Sequence, residues 1–190
     1  NKERSILGKK TETNNYFNRA VQGVYEMGST FKIFSVAQGL ETNLFDVETL
    51  IDTTEFRISS RKIEDKYKFN SKSTVREIIV RSSNVGSARL ALMIGEKGLK
   101  EIFSILGLLE PVGLELREAS ITKPIVPKDW RDITLATTSY GYGISVSLLH
   151  LAKAYAILGN GGFSVEPTIL KKQQDGQTGS RVLKKRTSDE

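Results

Sequence analysis

The chain has 190 residues, a formal net charge of +6, one histidine and no cysteine. Without cysteine there are no disulfides, no thiol chemistry and no Cys-ligated zinc, and no apolar run approaches the ~20 residues of a membrane span. The excess charge sits at the ends, with five basic and two acidic residues in 1–20 and six and three in 171–190, so the remainder is balanced and lacks the basic face of a nucleic-acid binder.

In chain order, residues 1–18 read as a polar, Asn- and Lys-rich arm, and residues 19–190 as the folded part. Tyr25-Glu26-Met27-Gly28-Ser29-Thr30-Phe31-Lys32 runs straight into Ile33-Phe34-Ser35-Val36-Ala37-Gln38-Gly39-Leu40, an amphipathic helix pattern. Glu41 to Thr54 is turn-rich with scattered apolar anchors, and Arg57 to Ile63 reads as a surface hairpin. Thr74-Val75-Arg76-Glu77 has capping-box spacing before Ile78, Ile79 and Val80, which predicts a short helix stopping near Ser82. Ser82-Ser83-Asn84 reads as a break, with Ser83 or Asn84 capping a helix to Gly95. A further helix from Glu96 to Leu106 ends at Gly107.

Leu108 to Asp129 holds three of the four prolines and reads as a long loop, a place where function is often carried. Ser139-Tyr140-Gly141-Tyr142-Gly143 is a glycine-punctuated turn before a helix of Leu148, Leu151, Ala152 and Tyr155, which Gly159-Asn160-Gly161-Gly162 terminates. Thr168 to Lys171 and Arg181 to Lys184 flank a polar turn at Asp175-Gly176, so a β ribbon is expected over about 164–187. The expected fold class is mainly α with short β hairpins.

Two spacings carry chemistry. In a helix, Ser29 and Lys32 share a face, and a neutral lysine amine can take the proton that keeps a serine hydroxyl from being a nucleophile. That requires the lysine pKa to fall well below ~10.4, as desolvation would make it do. Ser-x-x-Lys also occurs at Ser59/Lys62 and Ser120/Lys123, but the first lies in the hairpin turn and the second precedes Pro124, which disfavours helix. Ser82-x-Asn84, the one Ser-x-Asn in the chain, falls at an inter-helix break where side chains can face a cleft. His150, among Leu148, Leu149 and Leu151, reads as a packed helix residue rather than part of a Ser-His-Asp triad.

Taken together, Gly28-Ser29-Thr30-Phe31-Lys32, Arg81-Ser82-Ser83-Asn84-Val85-Gly86 and Ser139-Tyr140-Gly141-Tyr142-Gly143 leading into Leu151-Ala152-Lys153-Ala154-Tyr155-Ala156 resemble the transpeptidase domain of class B penicillin-binding proteins, in particular the division-specific type. The resemblance covers most of residues 18 to 172. It implies a peptidoglycan D,D-transpeptidase in which Ser29 attacks a stem peptide ending in D-Ala-D-Ala and Lys32 activates it. Ser82 would relay the proton to the leaving amine, and Asn84 would bind the substrate amide and the lysine. β-Lactam antibiotics would acylate Ser29, and no metal or organic cofactor is implied. The implied partners are peptidoglycan stem peptides and, for the parent protein, division-complex membrane proteins, at the periplasmic face of the bacterial inner membrane.

One departure stands out. The family's third motif, Lys-Thr-Gly on a buried strand, has no counterpart, since the sole Thr-Gly is Thr178-Gly179 after Gln177 in a polar run. The chain therefore resembles the helical part of a penicillin-binding/serine β-lactamase-like transpeptidase fold that is α+β in the parent, with most of the central sheet missing. By itself it is expected to be nearly inert, and the Ile33, Val36, Ala37, Leu40 face is expected to lie exposed. The alternatives are a β-lactam-sensing receptor domain, a serine β-lactamase or a helical protein-binding scaffold. The lactamase reading is weakened because no Asn lies between Asn84 and Asn160 to follow a loop glutamate.

Overall fold

The computed structural model describes residues 17–171 and 179–190. The polar arm therefore lies almost wholly outside the described residues, as does the Asp175-Gly176 turn. Strand β1, Val24–Tyr25, leads toward a 3-10 turn, Gly28–Phe31, that passes directly into helix α1, Lys32–Glu41. Seven residues of α1 besides Lys32 are buried, so this helix is central rather than peripheral. Phe34 and Ala37 join one core with Phe31, Leu99, Ile102, Phe103, Leu135 and Ile157. Val36 and Leu40 join a second with Phe45, Ile51, Val75, Ile78 and Leu90. Each fully buried phenyl or branched aliphatic side chain contributes about 1.5–3 kcal/mol of transfer free energy.

This corrects the expectation that the Ile33, Val36, Ala37, Leu40 face would lie open. Val36 and Leu40 are buried because loop residues Phe45 and Val47 and the helix that begins at Val75 fold over them, while Ala37 is buried and Ile33 half-buried against the first core. What remains is a groove of about 230 Å³, lined by these four with Val75, Ile79 and Leu158 among others.

Strand β2, Leu50–Asp52, precedes the hairpin, in which β3, Phe56–Ile58, and β4, Arg61–Ile63, pair antiparallel as their sequence predicts. Strand β5, Lys72–Thr74, returns to pair with β2 and runs into helix α2, Val75–Val80. This helix starts on the expected capping box: the Thr74 hydroxyl accepts the Glu77 N–H at 3.1 Å and the Glu77 carboxylate accepts the Thr74 N–H at 2.9 Å. Ser83 caps α3, Asn84–Ile105, by accepting the Gly86 N–H at 2.8 Å. At Gly95 (φ 73°) α3 is interrupted, so two helical segments meet there, and Gly107 and Leu108 close its end on the carbonyls of Ser104 and Phe103.

Helix α4, Arg117–Ile121, interrupts the proline-rich loop. Helix α5, Asp132–Ser139, buries Thr137, Thr138 and Ser139 beside Leu135 and Ala136, so its inward residues are mostly polar. Strand β6, Val146–Ser147, pairs with β1, and helix α6, Leu148–Gly159, ends as expected at the glycine cluster. Of these elements β1, β2, β5, β6, α4 and α5 are not legible in the sequence, and for the strands the reason is length. Runs of two or three residues are too short for alternation to show.

The ribbon expected over 164–187 is corrected. Among the described residues it is a single bridge, Phe163 with Arg181, and the chain then forms helix α7, Lys185–Asp189. Beyond the bridge the chain meets a different partner. The Glu41 carboxylate accepts the Lys184 N–H at 3.0 Å and the Thr187 hydroxyl at 2.6 Å, docking this segment on the end of α1.

Candidate active site

Phe31 anchors the Ser29 turn. It is fully buried, and its ring meets Phe34 edge-on at 5.0 Å and Phe103 at 5.8 Å. Ser29 and Thr30 are left on the rim, both exposed and facing outward from the core. Three further contacts hold this turn from outside. The Gly28 N–H donates to the Gly141 carbonyl at 3.2 Å, the Tyr155 hydroxyl donates to the Thr30 carbonyl at 2.8 Å, and the Glu26 carboxylate accepts the Gly143 N–H at 2.7 Å. The turn at 139–143 and helix α6 thus bracket Ser29, although neither touches its hydroxyl, which makes no hydrogen bond among the described residues.

One turn further on, the Lys32 side chain points inward and is 3% exposed. Its Nζ donates to the Ser82 hydroxyl at 2.7 Å and to the Ser82 carbonyl at 2.6 Å, across 50 residues of sequence. Desolvation pulls the Lys32 pKa down to about 8, with the Asp65 carboxylate opposing part of the shift. A lysine so placed can be neutral in an appreciable fraction of molecules and can exchange a proton with a hydroxyl.

Ser82 sits between α2 and α3 with φ 59°, a left-handed conformation that side-chain-bearing residues seldom adopt. Asn84 is the first residue of α3 and half-buried. Its side-chain amide makes no hydrogen bond among the described residues, while its backbone N–H donates to Asp65. The structure therefore brings Lys32 and Ser82 into direct contact, puts Ser29 one turn before Lys32, and puts Asn84 two residues after Ser82. Asp65 belongs to the same cluster and is not legible in the sequence, since Ile63-Glu64-Asp65-Lys66 carries no spacing that sets it apart.

The two other Ser-x-x-Lys pairs have ordinary roles. Ser59 turns the β3–β4 hairpin, and Lys62 pairs with Glu55 and Glu64 at 2.8 Å each, which raises its pKa. Ser120 donates to the Arg117 carbonyl within α4 at 2.8 Å. His150 is 1% exposed: its Nδ1 meets the Ser147 hydroxyl at 2.7 Å and its Nε2 meets the Glu110 carbonyl at 2.9 Å. It ties α6 to the proline-rich loop, as a packed residue would. A cleft of about 470 Å³ opens beside Asp65, lined by Thr53, Tyr67, Phe69 and Val85 among others, and neither Ser29 nor Lys32 lines it. Among the described residues no group of three or more His, Asp or Glu could hold a metal ion, and no helix is long and apolar enough to cross a membrane.

Fold and site together define a mainly α domain in which an outward-facing serine stands one turn before a buried, desolvated lysine that meets a second serine. The chain belongs to the penicillin-binding protein transpeptidase domain family, whose model matches residues 1–190. It is 39% identical over 176 residues to a probable peptidoglycan D,D-transpeptidase FtsI of Caulobacter vibrioides, covering 91% of this chain and 29% of that protein. Its fold superposes on a peptidoglycan glycosyltransferase from Burkholderia ambifaria with a TM-score of 0.85 at 30% identity, over 93% of this chain and 56% of the other. It also superposes on the TP domain of Burkholderia pseudomallei penicillin-binding protein 3, with a TM-score of 0.77 at 33% identity, over 90% and 52%. The chain thus spans under a third of that curated relative and about half of each solved chain. The expected resemblance and the mainly α partial fold agree with these findings.

Proposed function

We propose that this chain is the helical part of a serine-type peptidoglycan D,D-transpeptidase that cross-links the wall at the division septum, on the periplasmic face of the inner membrane. The observation that carries the reading is the contact of the buried Lys32 amine with the Ser82 hydroxyl at 2.7 Å, one turn from Ser29 on the rim. At a pKa of about 8, roughly one lysine in ten is neutral at pH 7, a few hundred times more than for a free side chain.

In this reading, Lys32 takes the Ser29 proton as Oγ attacks the penultimate carbonyl of a stem peptide. The C–N bond to the terminal D-Ala then breaks, its amine leaves with a proton passed through Ser82, and Ser29 holds the acyl group. An amine from a neighbouring stem takes that group, donates its extra proton back through the same residues and frees Ser29. Asn84 binds the substrate amide and helps place Lys32. A β-lactam enters by the same attack and leaves Ser29 acylated.

The family's Lys-Thr-Gly strand supplies an oxyanion donor, and loss of one such donor typically costs on the order of 10²–10³ in rate. The tripeptide is absent from this sequence, so the chain by itself is expected to be nearly inert. The test is labelling by a fluorescent penicillin of two proteins: these 190 residues, and a protein that also carries the Lys-Thr-Gly strand. The longer protein should label stoichiometrically and its Ser29→Ala variant not at all. Labelling that survives Ser29→Ala would sink the assignment of the nucleophile, and rapid stoichiometric labelling of the shorter chain would sink the expectation of inertness. Hydrolysis of a chromogenic cephalosporin at a sustained rate would favour the lactamase reading instead.

A further inference from the structure

A carboxylate that no motif includes grips the segment that carries Ser82 and Asn84. Asp65, on the loop after β4, reaches across to the start of α3. One carboxylate oxygen accepts the Ser83 hydroxyl at 2.7 Å, and the other accepts the backbone N–H of Asn84 and, at 3.2 Å, that of Val85. The helix does not need this as an ordinary cap, because Ser83 already fills that role on Gly86. Asp65 therefore fixes three consecutive residues immediately after Ser82.

The residue before that grip is the strained one. Ser82 has φ 59°, a region disfavoured for residues with a Cβ, and in this pose both its hydroxyl and its carbonyl lie on Lys32 Nζ, at 2.7 and 2.6 Å. On its other side Ser82 is held by α2, whose Ile79 and Ile78 carbonyls accept the Ser82 and Ser83 N–H groups at 3.1 and 2.9 Å, so the Asp65 grip fixes the chain on the far side of the strained residue. We propose that Asp65 is a positioning residue of the site, acting through the start of α3 to set the Ser82–Lys32 contact and acting on Lys32 by its charge. The inference rests on the reading of Lys32 and Ser82 as working residues, but its geometry does not depend on Ser29 being the nucleophile.

The direction of the charge effect follows. A carboxylate near an ammonium favours the charged form, and Asp65 raises the Lys32 pKa against the larger effect of desolvation. Its negative charge limits how far desolvation can lower the lysine, so Asp65 tunes the supply of neutral amine as well as its aim.

The experiment is a titration of the Lys32 side chain by NMR, with amide shifts recorded for residues 82–86, in the 190-residue chain and in Asp65→Asn. Asparagine keeps the size and one acceptor oxygen, loses the charge and presents an amide NH₂ in place of the second oxygen. The expected result is a downward shift of the Lys32 midpoint together with displaced Asn84 and Val85 amide resonances. Ser147→Ala, which removes the cap of α6 away from this segment, should leave both unchanged. If Asp65→Asn folds with an unmoved Lys32 midpoint, Asp65 is a helix anchor only and the proposal fails. Should that variant not fold, Asp65→Glu decides: it keeps the charge but lengthens the side chain, so the Lys32 midpoint must move together with the residue 82–86 amides, and a midpoint that stays put while these amides shift overturns the proposal. The same titration in Ser29→Ala separates the two readings, because the Asp65 effect should persist there even if Ser29 proves not to be the nucleophile.

Discussion

Gly141 lies so close to Gly28 that a side-chain carbon at Gly141 would fall 2.1 Å from the Gly28 carbonyl oxygen, and the same two residues are joined by a backbone hydrogen bond of 3.2 Å. The turn at 139–143 and the turn that presents Ser29 are thus one backbone unit, although they lie far apart in sequence. Gly141→Ala is therefore expected to cost about 1–3 kcal/mol through overpacking and strain at φ 80°. Gly143→Ala is the comparator, because it shares the same φ but its nearest neighbour stands at 3.8 Å, leaving strain alone. Thermal unfolding should show a larger fall for Gly141→Ala. Equal falls would mean that the contact with Gly28 carries no weight.

Lys32 ties stability to pH with a definite sign. Its folded pKa of about 8 lies below the ordinary value of 10.5, so between these values the unfolded chain binds more protons than the folded one. Stability contributed by this residue rises with pH across that window. Denaturant unfolding of the wild type against Lys32→Met should show the wild type gaining on the variant from pH 8 to 10.5, and a constant difference would contradict the desolvated amine.

His150 works at the acid end. Burial pushes its pKa below 6.5, and its neutral ring accepts from Ser147 at Nδ1 while donating to Glu110 at Nε2. Below pH 6.5 the unfolded chain takes up the proton first, so this contribution is present above 6.5 and is lost as pH falls. His150→Phe should be less stable than the wild type in mildly alkaline buffer, with the gap narrowing on acidification. A gap that stays constant would contradict a buried neutral ring.

Thr74→Ala removes half of the capping box at the start of α2 and is expected to cost about 1 kcal/mol, within a range of roughly 0.5–2. Urea unfolding at constant m-value measures it. A cost near zero would mean that the strand pairing of Thr74 with Leu50 already holds this helix start.

How legible each part is depends on the reach of the interaction that makes it. The Thr74 capping box, the break at Gly95 and the close of α3 at Gly107 use partners within five residues, and all are readable in the sequence. Helix α5 escapes because only Leu135 and Ala136 of its buried residues are apolar, the others being Thr137, Thr138 and Ser139, so no apolar period shows. Among the described residues the expected ribbon is reduced to one bridge, and Glu41, more than 140 residues away, holds Lys184 and Thr187 where a second strand is expected to run on. Asp65 is invisible for the same reason: its partners begin 18 residues downstream.

Ser29 and Lys32 are singled out by spacing, context and the company of Ser82 and Asn84, all of which are properties of the order of residues. That order sets which side chains share a helix face, because the pitch of ~3.6 residues per turn is a local rule. It does not set solvation. The fold buries Lys32 in the core, brings Ser82 to its amine across 50 residues and places Asp65 behind the start of α3. The lowered pKa of Lys32 comes from those non-local placements, since the free energy of a charge depends on the water and the charges around it and not on its neighbours along the chain.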